Sequence, residues 1–165
     1  MRAILTVLAL MLAMPIAGCS GGGETAADTV TDTTDTATDT TGLVPVTIAA
    51  AGQTHRFDVE VVRTPEAQKF GLKLRTALPA NGGMLFPFDK PRIATFWMQD
   101  TLIPLDMFFI RADGSIDRIA ENTIPQSLEP VTSGGEVSAV LELAGGTAAR
   151  LNIDETAKVT WQERR

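Results

Sequence analysis

The side chains with the clearest chemical potential lie in a short stretch around Trp97. The tryptophan is followed by Asp100, Thr101 and Asp106, which supply carboxylate and hydroxyl oxygens. An apolar ring beside hydrogen-bond acceptors is a common composition of ligand pockets. Trp97 and Met98 alternate along a predicted strand, so one of the two should face away from the core. This stretch is therefore the first candidate for a ligand site.

Two arginines flank the same region in the chain. Arg63 and Arg75 stand at the two ends of a predicted helix, and a guanidinium group can bind a carboxylate or a phosphate through two parallel hydrogen bonds. The candidate ligand-binding residues are therefore Trp97, Asp100, Asp106, Arg75 and Arg63.

Structural roles are an open alternative for these residues. The tryptophan could pack in the core or at an edge, and the two aspartates could cap turns around Pro104. Arg75 could pair with Glu142 or Asp106. A purely structural site predicts a fully buried Trp97 and an Asp106 satisfied by backbone amides.

Catalytic constellations are hard to find in this sequence. His55, the one histidine, lies in a predicted hairpin turn, where we expect it to be solvated, and the one cysteine is Cys19. No glycine-rich loop leads from a strand into a helix, as a phosphate cradle requires. Asp100 or Asp106 with Arg75 could perform acid–base chemistry of the hydrolase type, but capping fits the same spacing. We predict no metal and no cofactor.

Composition narrows the class of protein. The 165 residues are 44% hydrophobic and 21% charged, which is typical of a folded chain with one domain. One cysteine excludes an internal disulfide framework. The net charge of −6 gives no basic footprint for nucleic acid.

The N-terminus has the pattern of a lipoprotein signal peptide over residues 1–18. Arg2 precedes an apolar run of about a dozen residues, too short for a membrane-spanning helix, which needs about 20. Ala17-Gly18-Cys19 then resembles a bacterial lipobox, in which the thiol accepts a diacylglyceryl group. A free cysteine after an ordinary signal peptide and an N-terminal membrane anchor are the alternatives. We expect lipidation at Cys19 and a place in the bacterial cell envelope, at the periplasmic face of the outer membrane in a Gram-negative host.

A low-complexity tract follows in residues 19–42. Residues 20–42 hold five acidic groups and no basic one, and show no apolar face. Such a tract buries too little apolar surface to offset its ordering entropy, so we interpret it as a disordered tether. O-glycosylation of its threonines and cation binding are weaker alternatives.

The remaining chain, residues 43–165, reads as a single α+β domain. Short alternating apolar runs predict a mostly antiparallel sheet, curled or barrel-like, of seven to eight strands. The strands are expected at residues 43–50, 56–62, 84–88, 93–98, 105–111, 116–120, 139–143 and 157–162. A long surface loop is expected at 121–136 and a short helix at 147–151.

One principal helix is predicted from Thr64 to about Arg75. Thr64 is a good N-cap and Pro65 suits the first helical position. Apolar residues at spacings of three and four, including Phe70 and Leu74, predict one buried face. Gly71 inside such a helix suggests a close approach by another backbone segment.

Residues 59–149 carry a resemblance to a known family. The matching pieces include Gly83-Met84-Leu85-Phe86, Phe96-Trp97-Met98 and the run from Thr101 to Ile110. Further pieces are Val59–Glu66, Gly71-Leu72, Arg75, Asp113–Ile116, Ala139–Leu143 and Gly145–Ala148. On these the chain resembles the prokaryotic family called domain of unknown function 192. The resemblance implies an envelope or secreted single-domain protein and no established activity.

The chain departs from the family pattern at three places. Gln99-Asp100 stands where Lys-Asn is common, which changes the charge beside Trp97. Lys73-Leu74 replaces a methionine–aromatic pair, and Asp154-Glu155 replaces a Gly-Asp turn.

Three hypotheses follow. The chain is a tethered module that binds a small ligand, a peptide or an envelope protein; or it is a carboxylate-dependent enzyme; or the domain is purely structural. We favour the binding module. The sequence predicts no oligomeric state.

Overall fold

The computed structural model describes residues 42–162, which form a strand-rich domain with two short helices. The predicted signal peptide, Cys19 and all but the last residue of the tether lie outside the described residues. In chain order the elements are β1 (Val44–Ala50), β2 (Gln53–Val61), α1 (Pro65–Phe70), β3 (Gly83–Arg92), β4 (Thr95–Phe96), β5 (Leu105–Ile110), β6 (Ile116–Ala120), β7 (Val131–Thr132), β8 (Val137–Ala144), α2 (Thr147–Leu151) and β9 (Lys158–Trp161).

Seven strands form one curled sheet in the order β6-β5-β8-β3-β2-β1-β9, and β4 pairs with β7 separately. The sheet is mixed, because β2 and β3 run parallel where Glu60 lies opposite Met84 and Val61 opposite Leu85. A parallel pair needs a crossover connection, which α1 and the loop after it supply. The predicted strand-dominated, curled architecture is confirmed in this broader form. The prediction understated the mixed character of the sheet and overstated its helical part.

The first hairpin shows how local sequence sets the register. Ala50 lies opposite Gln53, so the loop has two residues, and both Ala51 and Gly52 have positive φ. That conformation matches the twist of the flanking strands. It places Phe57 and Val59 in the core, as their alternation predicts.

The sheet buries side chains on both faces. We call the first the α2 face, because Ala148 of α2 packs there with residues such as Val46, Phe108 and Leu141. We call the second the α1 face, where Met84, Phe86, Met107, Phe109 and Val140 pack against the segment after α1 and the loops around β4 and β7. Alternation along β3, β5 and β8 sends successive side chains to opposite faces.

The principal helix is shorter than predicted. The N-terminus is confirmed, because the hydroxyl of Thr64 accepts a 3.2 Å hydrogen bond from the Ala67 amide and Pro65 occupies the first turn. The helix ends at Phe70 because Gly71 adopts a φ of 53°. A Cβ at Gly71 would lie 3.4 Å from the Phe86 ring, an ordinary contact with a side chain, so the predicted close approach of another backbone segment is wrong.

The predicted apolar helix face is wrong. No residue of α1 is buried, and Phe70 and Leu74 are exposed. The chain turns after Gly71 and inserts Leu72 into the α1 face.

Three other predictions need correction. The expected strand at 93–98 is reduced to the two residues of β4, because β7, within the expected loop 121–136, is its one short partner. His55 lies in β2 and is half-buried rather than solvated in a turn. Its Nε2 has no hydrogen-bond partner among residues 42–162.

Candidate functional site

The chain leaves β4 with Trp97 pointing outward and Met98 inward. Trp97 is 54% exposed, whereas Met98 is 1% exposed. The preceding Phe96 is anchored by edge-on ring contacts to Phe86 and Phe109, with centroid distances of 5.1 and 6.3 Å. The exposure of Trp97 is therefore a property of a fixed backbone, because its neighbours on both sides are packed in the core.

Trp97 lines a cavity of about 690 Å³, a size that suits a small organic ligand. Its wall combines apolar surface with cationic groups and contains no carboxylate. The lining residues are Pro65, Gln68, Lys69, Lys73, Arg92, Thr95, Phe96, Trp97, Gln99 and Leu128.

Gln68 fixes α1 at the edge of this cavity. Its side-chain amide donates to the carbonyls of Val62 at 3.1 Å and Pro87 at 3.0 Å, so it bridges the residue after β2 and the part of β3 that extends beyond β2. The next residue, Lys69, is exposed on the cavity wall. A short helix without buried residues is thus held by a side-chain amide rather than by an apolar face.

Arg63 lines a second, smaller cavity of about 390 Å³ on the other side of α1. The two cavities share Pro65, Gln68 and Arg92. The guanidinium carbon of Arg92 lies 4.0 Å from the centroid of the Phe88 ring, and this cation–π contact positions the group.

Arg75 lies outside both cavities. Its two terminal nitrogens contact the two carboxylate oxygens of Glu60 at 2.5 and 2.6 Å. These hydrogen bonds raise the pKa of Arg75. The expected ion pair with Glu142 or Asp106 is therefore wrong, because Glu60 of β2 is its partner.

Asp106 is completely buried on the α2 face. Its carboxylate accepts hydrogen bonds from the backbone amides of Asn122 at 2.7 Å, Gly146 at 3.0 Å and Ala148 at 2.7 Å. It therefore ties the start of α2 and the loop after β6 to the start of β5. This is the geometry that the structural alternative predicts for this residue.

Asp100 is exposed and lies beside Lys73, with 3.3 Å between Oδ2 and Nζ. Its φ of 59° and the 2.9 Å bond from the Leu74 amide to its carbonyl show a role in turning the chain. Asp100, Asp106 and Arg75 share no hydrogen-bond partner and line neither cavity. Of the five candidate residues, Trp97 and Arg63 line the cavities.

Sequence reasoning missed three cavity residues and one buried carboxyl. Lys69, Lys73 and Arg92 gain their importance from tertiary packing, and their spacing alone gives no signal. Glu142 of β8 is buried on the α1 face opposite Met84 and Met107. Burial raises its pKa from 4.5 to about 8. The sequence signal for this buried carboxyl was a charged residue within an otherwise apolar predicted strand.

The arrangement around Trp97 suits the binding of a small molecule. Among residues 42–162, no three histidine, cysteine or acidic side chains are grouped closely enough to hold a metal ion. The same residues contain no helix long and apolar enough to cross a membrane. A fixed aromatic platform with cations on one side can hold an anionic ligand and contact its apolar part.

A comparison with protein-family models gives a match over residues 46–161. The matching model is domain of unknown function 192 (DUF192), described as an uncharacterised ACR. The chain belongs to this family. The match covers both cavity walls and the strands of the sheet except the first two residues of β1, so the resemblance inferred from the motifs around Trp97 is confirmed. The predicted lipoprotein leader lies outside the matched residues.

Two solved structures are similar to this chain. One is a protein of unknown function from Novosphingobium aromaticivorans, 43% identical, with a TM-score of 0.70 over 72% of this chain and 85% of that one. The other, from Sinorhizobium meliloti, is provisionally described as a transcription regulator and is 37% identical, with a TM-score of 0.70 over 72% of this chain and 92% of that one. No curated protein matches the chain.

Proposed function

We propose that this DUF192 chain is a lipid-anchored cell-envelope protein whose folded domain is a binding module. Its site is the 690 Å³ cavity beside Trp97, and its partner is a ligand with anionic and apolar parts. The protein holds the ligand near the membrane rather than transforming it.

The exposed Trp97 on a fixed backbone carries this proposal. The Trp97 side chain stays 54% exposed between two packed neighbours, so its ring contributes nothing to the stability of the core. Its ring instead offers apolar area beside Lys69 and Lys73, and tryptophan dominates the energetics of many binding surfaces.

The leader supports the envelope location. The apolar run, the small residues before Cys19 and the acidic, threonine-rich tract form the order expected of a signal peptide, lipidation site and spacer. Three acyl chains on one cysteine would exceed the two-signal requirement for stable anchoring. A spacer of 23 residues spans roughly 25–30 Å as a flexible chain, enough to clear the lipid head groups.

Native mass spectrometry on the full chain, purified gently from its own cell envelope, tests the binding role. We expect a reproducible additional mass on the folded protein. The Trp97→Ala variant should lose that mass while keeping its unfolding midpoint.

Leu102→Ala provides the matched control, because Leu102 is an exposed apolar residue on the same segment that lines neither cavity. Retention of the additional mass by Trp97→Ala, or its loss from both variants, would contradict the site. The intact mass also tests the anchor, since a lipidated Cys19 adds acyl chains that Cys19→Ser cannot carry.

A further inference from the structure

The two cavities beside α1 are neighbours with a common wall. Pro65, Gln68 and Arg92 contribute to both, and Arg92 stands between them, held over the ring of Phe88. A ligand that reaches past Arg92 from the larger cavity of about 690 Å³ would enter the smaller one of about 390 Å³.

Positive charge is concentrated along this path. Five cationic side chains and one carboxylate, Asp89, line the two cavities, although the chain as a whole carries a net charge of −6. The cations are Arg63, Lys69, Lys73, Lys90 and Arg92. Among residues 42–162, Lys69, Lys90 and Arg92 form no salt bridge.

The two cavities differ in the chemistry of their walls. The larger one is lined by the apolar side chains of Phe96, Trp97 and Leu128 together with Lys69 and Lys73. The smaller one is lined by Arg63 and Lys90, and Arg92 belongs to both. The cleft thus combines one ring platform with a group of cations in each cavity.

We propose that the two cavities form one cleft for a small ligand that carries a flat ring and two acidic groups, one on each side of Arg92. The ring stacks on Trp97, the first acidic group binds Lys69 and Lys73, and the second binds Arg63 and Lys90. This inference rests on the proposed binding function and specifies its ligand class. Carboxylates and phosphates share the chemistry that these cations recognise.

Fluorescence titration of Trp97 tests the ligand class. The full chain in detergent, with Trp161→Phe to leave Trp97 as its one tryptophan, is titrated with two series of probes at low salt. The carboxylate series is phenylsuccinate, 3-phenylpropionate and succinate; the phosphate series is ADP, AMP and pyrophosphate. The first member of each series has a ring and two acidic groups, and the others lack one of these features.

We expect the first member of one series to bind at least about tenfold more tightly than both of its truncated relatives, and the better series identifies the acidic group. Arg92→Ala should weaken that binding about tenfold, because the Arg92 guanidinium lies between the two acidic groups and donates one charge-assisted hydrogen bond to one of them. Lys90→Ala should weaken the first member and leave the single-acid member unchanged. Arg150→Ala, an exposed arginine on α2 away from the cleft, should change neither.

Equal affinity of the truncated probes, no effect of Arg92→Ala, or no binding by any probe at millimolar concentration would overturn the inference. The proposed function would survive that result if Trp97→Ala still removed the envelope-derived mass. If Trp97→Ala kept that mass, the binding site itself would be wrong.

Discussion

The two faces of the sheet each bury a carboxyl group, and the two groups have opposite surroundings. Asp106 and Glu142 lie near the same end of the sheet, where β5 pairs with β8. On the α2 face, three backbone amides satisfy Asp106. On the α1 face, the side-chain carboxyl group of Glu142 accepts no hydrogen bond from any of residues 42–162. Burial alone raises its pKa.

The contrast separates a structural region from a binding region. The α2 face is closed by a helix whose first amides are tied to the sheet, so little is left open. The α1 face is covered by a short helix without buried residues and by loops, and the Trp97 cleft lies in that cover. Binding is therefore expected on the α1 face, where the covering layer is incompletely packed. Binding residues commonly lie on loops that a rigid scaffold positions.

Asp106→Ala should have the largest effect. It removes the carboxylate and leaves three amides without their acceptor in a buried place, so the free energy of unfolding should fall by about 3–5 kcal/mol. Urea unfolding followed by circular dichroism measures the change. A loss below about 1 kcal/mol would mean that the α2 face does not depend on this residue.

Glu142→Gln should change how stability depends on pH. The folded protein keeps the Glu142 proton up to a pKa of about 8, whereas the unfolded chain releases it near 4.5. The folded state therefore binds more protons between these values, and wild-type stability falls as pH rises from 4.5 to 8. Glutamine removes this contribution. The variant should gain stability over the wild type with rising pH, by at most about 1.4 kcal/mol per pH unit.

Urea midpoints of both proteins at pH 5, 6, 7 and 8 measure this difference. A constant difference across the range would show that Glu142 is already ionised in the folded protein. The two buried carboxyl groups would then lack the opposite surroundings that distinguish the α2 face from the α1 face.

Trp97→Ala should affect binding and leave folding nearly unchanged. Because the ring is more than half exposed, the free energy of unfolding should change by less than about 1 kcal/mol. Ligand binding should fall at least about tenfold, as for an aromatic residue at the centre of an interface. Thermal unfolding together with calorimetric titration of the same probes, which needs no tryptophan reporter, separates the two effects. A variant that unfolds would place Trp97 in the structural layer instead.

Asp100→Asn should have the smallest effect. The exposed pair with Lys73 contributes about 0–1 kcal/mol, and asparagine tolerates the positive φ, so stability should barely change. Loss of the carboxylate leaves Lys73 fully available to the cleft. Anionic probes should therefore bind slightly more tightly, and a weaker affinity would place Asp100 itself in contact with the ligand.

Much of the sheet could be predicted from the sequence because its signals are local. Alternating apolar residues set the strands, and Ala51-Gly52 set the first hairpin. The end of α1 was missed because the apolar spacing continues past Gly71, whereas the φ of 53° at that glycine ends the helix at Phe70. β7 was missed because two residues carry no periodicity.

The candidate site was predictable only in part, for a similar reason. Exposure of one residue of the Trp97–Met98 pair follows from alternation, so the platform could be anticipated. The basic wall of the cleft could not be anticipated, because the crossover between β2 and β3 brings Lys69 and Arg92 to the same cavity. Arg75 pairs with Glu60 instead of the expected Glu142 or Asp106. Glu60 faces the same side of the sheet as Met84 and Glu142, but its strand β2 lies two strands nearer than β8 to the loop that carries Arg75.

Hydrogen–deuterium exchange on the full chain tests the central claim most directly. The protein as isolated from its envelope is compared with the same protein after unfolding, removal of bound molecules and refolding. We predict slower exchange in the isolated sample at residues 65–73 and 88–99, which border the cleft, and equal exchange in α2. Identical exchange throughout, or protection confined to α2 and its neighbours, would contradict the cleft as the binding site.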